Sequence, residues 1–501
     1  MRTLSMEPVW PDSDRIPCMI ATVFAALAAG RQLWLVDPTG MDAPRLALVQ
    51  SVQGLANRSG PLVWQKVGGM TTVLIDQLRA EGWSVRETKD PWEVAEAFRR
   101  RIRGAVLCNA SDESLNVAAT WAGIEDLLVL DESLKGQAEA RGWKVRRDAR
   151  REAPPVSRLR RDLAVEQPPE KAGFLRDYAI RHRAECYWTG DRQDQRERKV
   201  ARLEAGSFVL GWGPDEYRWI EAISRRSGSG VAADWCANLS AMEAAGGDVR
   251  TLPRLGPERP PVKGERVVAF VLSDGDNIQW LTQGMPLHPS YYGHPRRGEF
   301  KMTWEVSPLL ARYAPRVLDW IYAKATPGDG FVAAGAPGYA YPALAPQRDI
   351  YARQTKELLR RSGLRIVGVI DDNSGSMESV APLLELPEVD AVLYKAYAPY
   401  HKLGGKVWWH NGKPCVSYRF PLWEGMEGWG PEDLLKAIEA MPADPSNPDS
   451  YALVTVHAWS FGSQGGPVET VRRLIPRLPQ GTRVVTAPEL VEWLVRFCRP
   501  R

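Results

Sequence analysis

Short aliphatic runs alternate with amphipathic segments along the first half of this chain. The pattern predicts strands at residues 33–37, 61–64, 105–108 and 127–130, and helices at 70–81 and 92–102. Three further strands are expected near residues 185–188, 208–212 and 231–235. Strands and helices that alternate at this spacing are typical of βαβ units, so this half is predicted to be α/β with a mostly parallel sheet.

Two segments rich in charge and proline interrupt the pattern. The first, residues 146–161, carries seven arginines around Pro154 and Pro155 and is typical of a solvated connector. The second, RLGPERPPVKGE at residues 254–265, is typical of a domain boundary. We therefore expect an α/β region at 1–150, a second one at 151–257 that is separate or part of the same N-terminal domain, and a C-terminal domain at 258–501.

Eight further strand-like runs follow, and most of them precede a helix signal. They begin at Val267, Lys301, Gly330, Arg365, Asp390, Pro414, Tyr451 and Thr482. Ser307 and Pro308, for example, supply an N-cap and a first-turn proline for one continuous helix. Eight strands with helices between them in about 240 residues predict a (β/α)8 TIM-like barrel. An open doubly wound sheet is the alternative, because PYHKLGG at 399–405 stands where one helix is expected.

The active site of such a barrel is built at the carboxyl ends of its strands. Polar or aromatic residues stand at every predicted strand end except the last, whereas the strand interiors are almost purely aliphatic. The candidate catalytic residues are the carboxylates Asp274, Asp276, Glu305 and Asp372. The candidate substrate-binding residues are Asn277, Trp304, Tyr339, Tyr341, Lys395, Arg419, Trp423, His457 and Trp459. Asp371 and Asp372 are adjacent, so only one of them is expected to face the site.

Composition narrows the class of ligand. The 501 residues include 65 Lys and Arg against 61 Asp and Glu, and this net charge of +4 provides no field for nucleic acid or an anionic membrane. The chain contains 20 Trp but only 10 Phe, and the broad faces of Trp suit stacking on sugar rings. We therefore expect a neutral partner, a carbohydrate.

Several enzyme classes are excluded by the motifs. The chain contains no G-x-G-x-x-G after a strand, no G-x-x-x-x-G-K-[ST], no H-E-x-x-H and no G-x-S-x-G. An EF-hand that began at Asp274 would need Glu at its twelfth position, where Met285 stands. No metal or other cofactor is expected, and the alternative is a carboxylate and imidazole site formed by Asp274 or Asp276 with His288, His294 or His457.

Cysteines and apolar runs bear on the compartment. The six cysteines occur without any C-x-x-C pair and are expected to be buried thiols. The apolar run at 18–30 is too short to span a membrane and follows no basic leader. We expect it to form a packed helix of the mature fold and the protein to be cytoplasmic by default, with export left open.

Several local motifs resemble those of a known family. PGYAYP at 337–342, preceded by SDGDN at 273–277, resembles the C-terminal domain of the GxGYxYP proteins, which are described as "putative glycoside hydrolases". SVQGLANR at 51–58, VLGWGPDE at 209–216 and ANLSAM at 237–242 resemble that family's N-terminal region. At the position of the motif's first glycine this chain has Ala336. Gly335 stands one place earlier, where a turn with positive φ is expected. The resemblance implies a barrel-like C-terminal domain and a carbohydrate role, but no catalytic pair.

We therefore predict a glycoside hydrolase that acts on an oligo- or polysaccharide, with Asp274 or Asp276 and Glu305 as the acid and the base or nucleophile. Two alternatives stay open: a metal-dependent carbohydrate esterase or deacetylase, and a carbohydrate-binding protein without catalysis. Asp215 and Glu216 are expected to be ordinary acidic residues of a helix N-terminus. The oligomeric state is left open.

Overall fold

The computed structural model describes residues 31–252 and 259–500. The helix predicted at 18–30 and residues 254–258 of the predicted boundary segment lie outside the described residues. The domain boundaries at 150 and 257 stay predictions.

Three small parallel sheets form the N-terminal half, where a mostly parallel sheet is predicted. The first has the order β2-β1-β3, with β1 (Gln32–Val36), β2 (Val63–Gln65) and β3 (Ser84–Thr88). The second has the order β5-β4-β6, with β4 (Gly104–Cys108), β5 (Leu127–Asp131) and β6 (Val145–Asp148). The third has the order β10-β9-β7-β8, with β7 (Leu163–Glu166), β8 (Glu185–Tyr187), β9 (Phe208–Gly211) and β10 (Ser229–Ala232).

Helices connect and cover these strands. They are α1 (Ala43–Ala56), α2 (Met70–Ala80), α3 (Pro91–Ala97), α4 (Ser114–Glu125), α5 (Lys135–Ala140), α6 (Arg176–His182), α7 (Gln193–Ala201), α8 (Glu216–Ser224) and α9 (Leu239–Ala244). The predicted helix at 92–102 is shorter and ends in a 3₁₀ turn at Arg99–Arg101.

Part of the predicted arginine-rich connector is strand β6. Arg147 on this strand forms an ion pair with Glu125, with Nη2 2.9 Å from Oε1. Arg150 likewise pairs with Asp148. Arg147 and Arg150 are therefore paired with acidic residues on and beside an edge strand, which is why a charged sequence still forms β structure here.

The C-terminal half contains one ten-stranded sheet, and all eight predicted runs contribute strands to it. Its members are β11 (Arg266–Leu272), β12 (Met302–Val306), β13 (Asp329–Ala334), β14 (Ile366–Asp371), β15 (Ala391–Ala396), β16 (Val407–His410), β17 (Lys413–Ser417), β18 (Phe420–Leu422), β19 (Tyr451–Val456) and β20 (Thr482–Val485). Their order is β16-β17-β15-β14-β13-β12-β11-β19-β18, with β20 paired to β11. Every pair is parallel except β16 with β17, a hairpin that stands where one helix of a regular barrel would lie.

The strand order differs from that of a (β/α)8 barrel. In such a barrel the eighth strand lies between the seventh and the first. Here β19 pairs with β11 directly over Val267–Leu272, and β20 pairs with the same strand over Arg266–Ala269. The sheet is a curled half-barrel, and a complete TIM barrel is not confirmed.

The remaining helices are α10 (Ile278–Thr282), α11 (Leu310–Tyr313), α12 (Pro315–Ala323), α13 (Arg348–Ser362), α14 (Ala381–Leu384), α15 (Pro431–Glu439), α16 (Pro467–Leu474) and α17 (Ala487–Cys498). The helix predicted after Ser307 is divided into α11 and α12 because Pro315 has no N–H and begins a new helix. The final helix α17 packs Leu490 and Leu494 into one apolar cluster with Val267 and Ala269 of β11.

Two further findings concern the described residues only. None of their helices is long and apolar enough to cross a membrane. Their cysteines are free thiols, with Cys108, Cys186, Cys236 and Cys415 buried and Cys498 partly exposed. Cys18 lies outside the described residues.

Candidate active site

A cleft of about 420 Å³ lies between the third N-terminal sheet and the carboxyl ends of the C-terminal strands. The N-terminal half contributes Lys171, Trp212, Glu216, Ala232, Asp234 and Trp235 to its lining. The C-terminal half contributes Ser273, Asp274, Asp276, Asn277, Gln279, Tyr339, Ile370, Lys395, Tyr400 and Trp459. Six of the predicted site residues are therefore brought together: Asp274, Asp276, Asn277, Tyr339, Lys395 and Trp459.

The SDGDN loop delivers its two aspartates into this cleft. A Cβ on Gly275 would lie 1.9 Å from the carbonyl oxygen of Glu305, so only glycine allows the loop to pass so close to β12. Asp274 adopts a φ of 68°, which turns the chain sharply between β11 and α10. The side chain of Asn277 then caps α10 by accepting a hydrogen bond from the Trp280 N–H.

Asp276 is partly buried among other acidic groups. Burial, followed by the charges of Asp274, Glu305 and Glu216, raises the pKa of Asp276 to about 7. This carboxyl group therefore retains its proton at pH values where an ordinary aspartate has lost it.

Asp274 accepts hydrogen bonds on both of its oxygens. Trp459 Nε1 donates to Oδ1 at 3.0 Å, and the Ser273 hydroxyl donates to Oδ2. The two aspartates of one loop thus lie in different environments.

Glu305 lies beneath the cleft and forms an ion pair with Lys395. Lys395 Nζ is 2.5 Å from Glu305 Oε1, and the Tyr418 hydroxyl donates to the same oxygen at 3.1 Å. Both members of the ion pair are buried. Glu305 and Asp276 also line a separate void of about 10 Å³, which is close to the space that one water molecule needs.

Asp372 lies outside the lining of the cleft, contrary to expectation. The Tyr217 hydroxyl donates to its Oδ1 at 2.5 Å, and the Ser374 N–H donates to its Oδ2 at 2.8 Å. Burial alone would raise the pKa of Asp372, but these hydrogen bonds lower it below the ordinary value. Its neighbour Asp371 is buried and accepts the Tyr394 hydroxyl, so neither residue faces the cleft.

Two predicted aromatic contacts are core residues instead. Trp304 is fully buried, and its Nε1 donates to Asp329 Oδ1 at 2.8 Å, because alternate residues of β12 face opposite sides of the sheet. Tyr341 is fully buried against Tyr217 and Tyr397. Neither ring is available to a ligand.

The other predicted substrate-binding residues are not part of the cleft lining. Arg419 forms an ion pair with Asp449 at 2.6 Å. Trp423 stacks on His457 with ring centroids 3.6 Å apart. Burial lowers the pKa of His457, and Lys395 also lowers it while Asp274 opposes the shift.

One side of the cleft is formed by residues of the N-terminal half, which the sequence does not predict. Asp215 caps α8 as expected, but Glu216 lines the cleft and accepts the Tyr339 hydroxyl at 2.8 Å. Among the described residues only two tryptophans are exposed, Trp235 at 47% and Trp459 at 51%, and both line this cleft. Both are therefore candidates for ligand contact.

The PGYAYP motif joins the two halves of the chain. Gly230 and Tyr339 exchange backbone hydrogen bonds in both directions at 2.8 Å. A Cβ on Gly338 would lie 2.8 Å from Ser229 Cβ, so this contact requires glycine. Gly335 adopts a φ of 54°, which confirms that the shifted glycine supplies the turn.

No group of three or more His, Cys, Asp or Glu side chains in the described part of the chain is arranged to hold a metal ion. The metal-dependent alternative therefore has no donor cluster there.

The fold and the cleft define a class: α/β proteins in which an acidic, aromatic-lined cleft lies between an N-terminal sheet and the C-terminal sheet. Sequence models of one family match most of this chain: the GxGYxYP_N second domain at residues 102–164, the GxGYxYP third domain at 161–243 and the "GxGYxYP putative glycoside hydrolase C-terminal domain" at 265–494. The chain belongs to the GxGYxYP family.

A solved structure shares the fold. It is the crystal structure of "a putative hydrolase from Bacteroides thetaiotaomicron VPI-5482", which is 24% identical to this chain. The match covers 94% of this chain and 96% of the chain of that structure. The TM-score is 0.82. No curated protein matches the sequence.

Proposed function

We propose that this protein hydrolyses glycosidic bonds of an oligo- or polysaccharide bound in the cleft. The observation that carries the proposal is the difference between two neighbouring carboxyl groups, Asp276 with a pKa of about 7 and Asp274 with hydrogen-bond donors on both oxygens. Glycoside hydrolysis needs one carboxyl group that gives a proton to the leaving oxygen and a second that stays ionised.

In this mechanism Asp276 is the general acid. It protonates the glycosidic oxygen as the bond to the anomeric carbon breaks and an oxocarbenium-like centre develops. Asp274 either attacks that carbon as a nucleophile, after which water hydrolyses the glycosyl-enzyme with Asp276 as the base, or acts as a base for a water molecule that attacks the carbon directly. Glu305 is not a reacting group in this scheme, because its partner Lys395 neutralises it.

The sugar-binding surface is aromatic. Trp459 Nε1 donates a hydrogen bond to Asp274, and the ring itself remains exposed. Its exposed face is therefore free to stack on a sugar. Trp235 lies on the N-terminal side of the same cleft. Asn277 and Lys395 also line the cleft and carry polar atoms for hydrogen bonds to sugar hydroxyls.

The family description supports the same proposal, because it names the C-terminal domain after glycoside hydrolases. The absence of a metal donor cluster among residues 31–252 and 259–500 leaves the esterase alternative without such support.

The test is the release of reducing ends from a panel of neutral oligosaccharides. We expect the wild-type protein to cleave a member of the panel, and D276N to lower kcat by roughly 10²- to 10⁴-fold, the usual contribution of a general acid. D215N removes an exposed carboxylate outside the cleft and should leave kcat unchanged. Glycan binding without any cleavage by the wild-type protein would overturn the proposal in favour of a binding protein.

A further inference from the structure

Glu216 is the first residue of α8 and reaches the cleft from the N-terminal half. Asp215 caps the helix by accepting the Arg218 N–H at 3.0 Å, so its carboxylate is occupied outside the cleft. The following side chain is partly buried and lines the cleft with Asp274 and Asp276. Two adjacent acidic residues thus have different surroundings.

The position of Glu216 is held by the PGYAYP motif. The Tyr339 hydroxyl donates to Glu216 Oε1 at 2.8 Å, and the Tyr339 backbone is itself bonded to Gly230 on both sides. The Tyr339 ring is buried with Trp212 nearby, at a centroid distance of 6.5 Å. The tyrosine therefore has little freedom, and neither has the carboxylate it holds.

Some carboxylates around the cleft form ion pairs with lysines, and others do not. Lys171 pairs with Asp234, and Lys395 pairs with Glu305. Within the described ranges no cation forms an ion pair with Glu216, Asp274 or Asp276. The groups that face Asp276 are Asp274 from its own loop, Glu305 from β12, Lys395 from β15, Tyr339 and Tyr400 from the strand-end loops, and Glu216 from α8.

Resting on the proposed function, we propose that Glu216 is a third carboxylate of the active site, a positioning residue whose charge keeps the proton on Asp276 at neutral pH. The active site is then shared between the two halves of the chain. The pKa values agree with this arrangement. Burial raises the pKa of Glu216, the Tyr339 hydrogen bond opposes the shift, and the charges of Asp274 and Asp215 add to it; Glu216 in turn contributes to the raised pKa of Asp276.

The proposal is tested by following the Asp276 carboxyl group directly. Protein labelled with ¹³C at Asp Cγ is titrated by NMR, and D276N assigns the signal. We expect a wild-type midpoint near 7, and in E216Q a midpoint lower by roughly 0.5 to 1 pH unit, the size of one charge at short range in a partly solvated site. Glutamine keeps the acceptor for Tyr339, so the fold is preserved.

D215N is the matched control, because the charges that raise the pKa of Asp276 are those of Asp274, Glu305 and Glu216, so removal of the exposed Asp215 carboxylate should leave the midpoint unchanged. If E216Q does not fold, Y339F tests the same link, since it frees Glu216 from its position and should also move the midpoint. An unchanged midpoint in a folded E216Q or Y339F protein overturns the inference. A protein that cleaves no glycan but shows the lowered midpoint in E216Q overturns the proposed function and retains the inference about Glu216. In the active enzyme, the alkaline limb of the kcat/KM profile should move to lower pH in E216Q and not in D215N.

Discussion

Lys395 Nζ lies 2.5 Å from Glu305 Oε1, and both side chains are buried at the base of the cleft. The Tyr418 hydroxyl donates to the same carboxylate oxygen. A buried pair of this kind is stable only while both charges are present, because either one alone would have to be desolvated without compensation.

The first prediction concerns this pair. Replacement of Lys395 by methionine should lower the free energy of unfolding by about 3–5 kcal/mol, because it leaves the Glu305 charge buried and unpaired. Denaturant unfolding measures the change. The exposed pair Arg353 and Asp349 is the control, and D349A should change stability by less than about 1 kcal/mol. Equal effects of K395M and D349A would contradict the burial argument.

The second prediction concerns pH and stability. An acid whose pKa is higher in the folded state binds more protons there, so its contribution to stability falls as pH rises from its ordinary value near 3.8 to about 7. D276N removes this loss and should raise the melting temperature more at pH 8 than at pH 5. Buried Asp177, whose pKa is also raised to about 7, keeps its contribution in both proteins and cancels in the comparison. An equal change at both pH values would show that Asp276 titrates normally.

The third prediction concerns the exposed tryptophans. Trp235→Ala and Trp459→Ala should each weaken binding of an oligosaccharide about five- to thirtyfold. Each substitution removes an apolar ring face that contributes about 1–2 kcal/mol to the free energy of binding. Calorimetric titration measures the affinity. F497A removes an exposed ring at the end of α17, away from the cleft, and should leave affinity unchanged. A loss with W459A alone would show that sugar contacts only the C-terminal wall.

The fourth prediction concerns the contact between the halves. Gly338→Ala should lower the free energy of unfolding by about 1–3 kcal/mol, because the new Cβ would lie 2.8 Å from Ser229 Cβ and 3.0 Å from the carbonyl oxygen of Gly230. Gly136 lies in α5 with open space around it, so G136A should be neutral or stabilising. If both substitutions are equally tolerated, the Gly230 contact is looser than described.

Much of the fold follows from local pattern. All eight predicted C-terminal runs contribute strands to the ten-stranded sheet, and the SDGDN loop follows the first of these strands as expected. The sequence does not predict β16, its antiparallel pairing with β17, or the pairing of β11 with both β19 and β20, because strand order depends on packing between distant segments. Periodicity identifies a strand but not its neighbours.

The sequence likewise predicts some residues of the candidate site, whereas the placement of others depends on packing. Asp274, Asp276, Asn277, Tyr339, Lys395 and Trp459 line the cleft because carboxyl ends of parallel strands meet at one edge of a sheet, which the sequence predicts. Trp304 and Glu305 are adjacent in sequence, but the first is in the core and the second forms an ion pair, a difference that only packing decides.

The amino-acid sequence by itself determined the α/β class, the family and the loop that carries the two aspartates, since these depend on residues close together in the chain. The tertiary structure decided that Glu216 and Trp235 face those aspartates. The contact between Gly230 and Tyr339 brings them there across more than a hundred residues of sequence. The pKa of Asp276 has the same origin, because burial and the charges of distant carboxylates exist only in the folded chain.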